Sequence, residues 1–241
     1  EGTDRQDEER SRKGIAMNFN DFKNTVREAF PEVSGKQLEQ FGMMEEVYRD
    51  WNAKINVISR KDLDGIYSHH VLHSLAIARY LRERKLAEYS EMTLPDNGLK
   101  VLDLGTGGGF PGIPLAVMFP EVRFVLCDSI RKKTIVAEAV AKHLGLENVE
   151  VVNARAESLG IRFDYVVSRA VASLTDFYPW VRGCFGRSVL YLKGGDIAEE
   201  IAKLMGKERM PAGSVSTWKV DSWLDDEYFA GKFVVDIAAR R

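Results

Sequence analysis

The chain has 241 residues, of which 45% are hydrophobic and 29% charged, with a formal net charge of −2 at pH 7. This is ordinary globular composition, enough for one large domain or a domain with an appendage. No apolar run is long enough to span a bilayer, and near-neutral charge gives no global signature of a nucleic-acid binder.

The two cysteines, Cys127 and Cys184, point to a reducing, cytoplasmic setting rather than a disulfide framework. Cys127 lies in an apolar strand pattern and reads as a small core residue.

Residues 1–16 are hydrophilic and lack an initiator Met, so they read as a disordered leader ahead of Met17, with no signal peptide. From Phe19 to Phe30 apolar residues recur at helical spacing, ending before Pro31. Ser34 suits an N-cap for a second helix, with Leu38, Phe41, Met44, Val47, Tyr48 and Trp51 on its buried face. The stretch 52–60 breaks the period. Asp62 is expected to cap a short helix through Tyr67, and Ser68 a separate one that turns Val71, Leu75, Ala78 and Leu81 inward. Tyr89 to Gly98 is turn-rich and reads as a linker. The division expected is a leader at 1–16, a helical region at 17–95 and a second domain at 96–241.

After the linker, strands and helices alternate. Strands are expected at 99–104, 122–127, 149–153, 163–168 and 188–193, with helices at 112–119, 130–144, 173–184 and 196–205. Two final strand-like runs, 214–221 and 231–238, have no useful helix between them. Such alternation predicts an α/β fold: a mostly parallel sheet with helices on both faces and an antiparallel hairpin at one edge.

The stretch 99–114 (Leu-Lys-Val-Leu-Asp-Leu-Gly-Thr-Gly-Gly-Gly-Phe-Pro-Gly-Ile-Pro) organises this second part. It reads as strand, glycine turn and helix start, a geometry expected to aim backbone N–H groups and a helix dipole at a ligand. Gly107-x-Gly109-x-x-Gly112 matches the dinucleotide fingerprint, but alone this is a weak signal. Asp103, before the first glycine, would repel a pyrophosphate and suits a ligand carrying an ammonium group, such as S-adenosylmethionine. Asp128 closes the next strand, where a carboxylate reaches a ribose diol in either ligand class; capping the following helix is its simpler reading. Ala156 and Glu157 follow the third strand, beside the expected adenine pocket. Arg169 ends the fourth, where a substrate approaches; a structural salt bridge is the simpler reading.

At this point the residues resemble a family. Gly-Thr-Gly-Gly-Gly-Phe-Pro-Gly-Ile-Pro at 105–114 is similar to the glycine loop of the 16S ribosomal RNA guanine-N7 methyltransferases, the RsmG (GidB) family. So are Trp51-Asn52 with Asn56-Val57, His70-Val-Leu-His-Ser74, Asp128-Ser129, Ser168-Arg169-Ala170 and Leu192-Lys193-Gly194, in order from about residue 45 to 195. Gly108 stands where the family loop has Pro, and His73 where the family has Asp.

The resemblance implies a class I S-adenosylmethionine-dependent methyltransferase fold, Rossmann-like with a seven-stranded sheet and an N-terminal helical extension. It implies S-adenosyl-L-methionine as cofactor, held by Asp103, Gly105, Thr106, Gly107, Gly109, Phe110, Asp128, Ser129, Ala156, Glu157 and Arg169. It puts Asn56, His70, Arg169 and Lys193 on the substrate side. The implied substrate is a guanine in the decoding-region loop of 16S rRNA (nucleotide 527 in standard rRNA numbering), reached in the small ribosomal subunit by a cytoplasmic monomer.

The residue chemistry agrees. Guanine N7 has an in-plane lone pair and no proton to lose, so the absence of an obvious catalytic base is expected. The base must be splayed out and stacked, for which Arg169, Trp51, Tyr67 and Phe110 are candidates. Arg131, Lys132 and Lys133 open a helix where cations oppose the dipole, which hints at phosphate contacts, although a solvated face explains them equally. His69 and His73 are four apart but lack the rest of a ligand set, so no metal is expected. An NAD-type oxidoreductase and a non-catalytic ribosome-binding module are the alternatives.

Overall fold

The computed structural model describes residues 16–59, 62–155 and 158–239. Residues 1–15, within the expected leader, lie outside the described residues, as do Arg60, Lys61, Ala156 and Glu157.

Helix α1, Phe19–Ala29, starts where the Asn18 side chain accepts the N–H groups of Asn20 and Asp21. Helix α2, Gly35–Asn52, opens with a capping box between Ser34 and Gln37. Two glutamines of α2 reach across to the second part of the chain. Gln37 donates to the carbonyls of Val117 and Met118, and buried Gln40 to that of Leu144.

The expected pair of helices divided at Ser68 is not found. A π-helical stretch, Ile66–Leu72, runs directly into α3, His73–Arg84. The Ser68 hydroxyl donates to the Gly65 carbonyl within its own turn, the back-bonding open to a serine inside a helix. Helix α4, Leu86–Met92, also takes the first residues of the expected linker. Tyr89 and Met92 are buried three apart, and that packing outweighs the turn signals that follow them.

The remaining elements are β1 Lys100–Leu104, α5 Gly112–Met118, β2 Arg123–Asp128, α6 Arg131–His143, β3 Val149–Asn153, β4 Phe163–Arg169, α7 Leu174–Val181, β5 Phe185–Gly194, α8 Ile197–Glu208, β6 Val215–Lys219 and β7 Lys232–Ala238. The described strands form one seven-stranded sheet in the order β3-β2-β1-β4-β5-β7-β6. The first five are parallel, whereas β7 runs antiparallel between β5 and β6.

Side chains alternate between two cores. Val101, Phe124, Leu126 and Tyr165 face α1 to α6, while Leu102, Val125, Cys127 and Val166 face α7 and α8. The N-terminal helices thus share one hydrophobic cluster with the sheet. The order reverses beside β1, and the carboxyl ends of β1, β2 and β4 meet there at one crevice.

A buried ion pair adds a polar tie between the two parts. Asp236 of β7 is 3% exposed, accepts the Tyr80 hydroxyl at 2.7 Å and pairs with Lys85 Nζ at 2.8 Å. Removing the cation strands a buried carboxylate. Lys85→Met is therefore expected to lower unfolding free energy by about 3 kcal/mol in urea denaturation, with circular dichroism and tryptophan fluorescence reporting one shared transition.

Candidate functional site

The crevice holds a cavity of about 630 Å³, the size of a small-molecule or cofactor site. One wall is the glycine turn, and its path is fixed from behind by two carboxylates. Asp103 Oδ2 accepts the Thr106 hydroxyl at 2.6 Å and the Gly112 N–H at 2.7 Å. Asp128 Oδ2 accepts the Gly107 N–H at 2.9 Å, and its Oδ1 the Ile130 N–H at 2.9 Å.

The turn does not offer the row of free N–H groups expected of it. Gly105 and Thr106 donate to the Cys127 carbonyl, and Gly109 and Phe110 to that of Thr106. Helix α5, seven residues long, is too short to supply much dipole. What the turn provides is shape. Gly105, at φ +73°, faces Val171, whose Cγ2 lies 2.4 Å from where a Cβ would sit. Gly107, at φ +59°, opens onto free space. Both conformations favour glycine.

Asp103 lies beneath the turn, wholly buried, rather than on the cavity wall where an ammonium partner was expected. Burial raises its carboxyl pKa to about 7, against the opposing pull of the Thr106 and Gly112 hydrogen bonds. Asp128 does line the cavity. The N-cap of α6 is Ile130, which makes no side-chain cap bond, so Asp128 does not cap that helix; it joins the turn to the end of β2. Ser129, Ile130 and Lys133 continue this wall, with Ala154 and Arg155 beyond β3.

Arg169, Ala170 and Val171 form the opposite wall. Arg169 has no carboxylate within ion-pair distance among the described residues, contrary to its salt-bridge reading, and burial lowers its pKa. Its guanidinium lies 5.2 Å from the Phe110 ring centroid, with Nη2 2.9 Å from His70 Nδ1. Because arginine only donates, His70 Nδ1 accepts and the ring carries its proton on Nε2. Burial, with Arg169 beside it, lowers the His70 pKa to about 3, which keeps the ring neutral.

The helical region supplies the rest. Tyr48 of α2 stacks on Phe110 at 4.8 Å and donates its hydroxyl to the Gly108 carbonyl at 2.8 Å. Asn52 folds the following loop back by accepting the N–H groups of Val57 and Ile58, which sets Val57 against Gly108.

The other expected residues divide. Thr106 and Phe110 line the cavity, and Gly109 turns the chain at φ +114° beside them. Ala156 and Glu157 lie outside the described residues. Asn56 is exposed on the loop beside Val57 and does not line the cavity, and Arg131 and Lys132 are exposed on the first turn of α6. Lys193 lies beneath the loop after β4, donating to the Ala172 carbonyl and pairing with Glu200. Tyr67 is buried away from the cavity against Phe22, with its hydroxyl on the Gly42 carbonyl, so it is not placed to hold a base. His69 stacks on Tyr228 and His73 packs edge-on to Phe229; no group of three or more His, Cys, Asp and Glu among the described residues is placed to hold a metal. Tyr48 and Trp180 meet the site without having been expected there, because each reads in sequence as an apolar position of a helix.

Known proteins match this chain in sequence and in fold. A family model, GidB, described as rRNA small subunit methyltransferase G, matches residues 37–222. Ribosomal RNA small subunit methyltransferase G of Porphyromonas gingivalis is 46% identical over 219 residues, covering 87% of this chain and 90% of its own. The protein of that name from Bacteroides fragilis is 44% identical over 214 residues, covering 86% and 95%. Among solved structures, magnesium protoporphyrin IX methyltransferase from Synechocystis, with bound SAM, superposes with a TM-score of 0.56 at 16% identity, covering 94% of this chain and all of that one. The Thermus thermophilus 16S rRNA N2 methyltransferase gives 0.50 at 19% identity, covering 70% and 43%. At those identities the structural likeness is one of fold.

Asp103 gives a pH test. Its folded pKa is raised above the unfolded value of 3.8, so the native state binds the extra proton between about pH 4 and pH 7. Its contribution to stability is complete at low pH and is lost as pH rises through that window. The unfolding free energy of wild type minus that of Asp103→Asn is expected to fall between about pH 4 and pH 7 and to level off above that in parallel urea titrations.

Proposed function

The chain belongs to the GidB family of rRNA small subunit methyltransferases, and on that premise we propose that it transfers a methyl group from S-adenosylmethionine to N7 of a 16S rRNA guanine, nucleotide 527 in standard rRNA numbering. The observation that carries the reading is the cavity's chemistry. Among its described lining residues the only carboxylate, Asp128, spends both oxygens on backbone N–H groups, and the cations Lys133, Arg155 and Arg169 stand around it.

The cavity fits the cofactor. Its volume suits a nucleoside with a side chain, the Gly107 position is open where a Cβ would intrude, and Asp128 has acceptor lone pairs left for a ribose diol. Bound there, S-adenosylmethionine supplies a sulfonium methyl, and its sulfur keeps the electron pair of the broken C–S bond.

The chain's own work is aiming and exclusion of water. The N7 lone pair attacks without losing a proton, so a site lacking a free base is sufficient. Arg169, backed by Phe110 and held by neutral His70, stacks on or orients the flipped base. His70 acts through Arg169, as a positioning residue. Asn56 reaches the base or its neighbour from the rim, and Lys193 supports the loop behind Arg169. Gly105, Thr106, Gly107, Gly109 and Phe110, with Asp128, Ser129 and the segment carrying Ala156 and Glu157, surround the cofactor, and Asp103 keeps the turn in shape. Arg131, Lys132 and Lys133 contact phosphates of the small ribosomal subunit. The chain acts as a monomer in the cytoplasm, without a metal; among the described residues no helix is long and apolar enough to cross a membrane.

Mass mapping of 16S rRNA from cells with and without this gene tests the site. The N7 methyl at guanine 527 is expected to vanish in the deletion and return with the wild-type gene; a methyl that persists, or one lost from an exocyclic amine, contradicts the assignment. Gly105→Ala forces a left-handed alanine against Val171 and is expected to weaken S-adenosylhomocysteine binding at least about tenfold by calorimetry, with the circular dichroism spectrum unchanged.

A further inference from the structure

Between β4 and α7 the strand ladder ends with the Ala170 N–H on the Leu192 carbonyl of β5, so the backbone beyond it needs other partners. Tyr191, on β5 and wholly buried, provides them. Its hydroxyl accepts the Val171 N–H at 2.9 Å and the Ala172 N–H at 3.0 Å, and donates to the Ala172 carbonyl at 3.0 Å. Those three bonds use the donor and both acceptor positions of a phenol. Lys193, two residues along the same strand, donates to the same carbonyl at 2.9 Å and pairs with Glu200 of α8 at 3.1 Å. Glu200 in turn accepts the Leu174 N–H at 3.0 Å. The loop is gripped at residues 171, 172 and 174 by side chains beneath it.

The other side of the same loop is catalytic ground. Arg169, Ala170 and Val171 line the cavity, and Val171 abuts Gly105 so closely that no side chain fits there. Ala170 holds φ +50°, a conformation a non-glycine residue keeps only where its surroundings impose it. A strained turn gripped from below, at residues 171 and 172 chiefly by one hydroxyl, is a pre-organised wall.

We propose that Tyr191 is a positioning residue for the transfer reaction, its buried hydroxyl fixing the 170–172 loop so that Arg169 and Val171 stand in register with the glycine turn. This rests on the methyltransferase reading. A reaction that needs only aiming is sensitive to small displacements of the group that aims, and a shift of about 1 Å costs up to about a hundredfold in rate.

Tyr191→Phe removes the hydroxyl and keeps the ring against Phe177, 4.7 Å away. Steady-state methylation of small ribosomal subunits is expected to show kcat reduced about tenfold or more, with KM for subunits and S-adenosylhomocysteine affinity within about threefold of wild type. Lys193→Met, which removes one of two donors to the Ala172 carbonyl, is expected to lower kcat in the same sense by about threefold. A Tyr191→Phe kcat within about twofold of wild type overturns the proposal, as does a fall in kcat matched by equal losses of cofactor affinity and folded fraction. If Tyr191→Phe does not fold, Lys193→Met decides: unchanged kcat overturns the proposal, and reduced kcat at unchanged cofactor affinity supports it. Wild-type protein inactive on every ribosomal substrate would instead sink the methyltransferase reading and this proposal with it, a result distinct from an active wild type and an unimpaired variant.

Discussion

Two carboxylates, near the carboxyl ends of the adjacent strands β1 and β2, hold the glycine turn to the sheet. Asp103 binds Thr106 and Gly112 at either end of the turn, and Asp128 binds Gly107 in its middle. A turn so rich in glycine has many conformations to lose on folding, and a few charge-assisted bonds select one of them. Once it is selected, the N–H groups of residues 105, 106, 107, 109 and 110 are spent on Cys127, Asp128 and Thr106, and what remains facing outward is mainly a concave surface. Recognition at this wall is therefore by fit, and Asp128, which both shapes the wall and borders the space, is the group left to make a polar contact there.

The second half of the site comes from far away in the chain. Tyr48 and the loop folded by Asn52 press on Gly108, and Phe110 is sandwiched among Tyr48, His70 and Arg169. Arg169 is a half-buried cation whose nearest polar partner among the described residues is a neutral ring. A carboxylate in that place would neutralise it; an imidazole lone pair orients it and leaves its charge available. The helical region thus helps to shape the cavity and shares the sheet's hydrophobic core.

The strand–helix alternation, the antiparallel pair at the edge and the position of the glycine turn were legible because each rests on local periodicity or local backbone chemistry. The helix boundary expected at Ser68 and the linker expected from Tyr89 failed where a hydroxyl bonded back to Gly65 and where buried Tyr89 and Met92 outweighed turn residues. The site was harder. Asp103 was legible as important, but its job beneath the turn depends on a contact nine residues away, to Gly112. Tyr48 reads as a position on a buried helix face and Tyr191 only as part of the strand at 188–193, and both are buried as core residues are; the destination of a single hydroxyl distinguishes each, and that is set by tertiary placement. Lys193 was placed on the substrate side by the family resemblance alone, and its ammonium turns under the loop to Ala172 and Glu200, a destination set by tertiary placement.

If the turn strapped down by Asp103 and Asp128 forms the wall of a nucleoside site, a crystal structure of the protein with S-adenosylhomocysteine will show it. Electron density for the ligand is expected in the cavity between residues 105–110 and Arg169, with the ribose hydroxyls on the Asp128 carboxylate and the turn unmoved. Ligand density elsewhere on the protein, or a turn that releases Gly107 from Asp128 to admit the ligand, would contradict it.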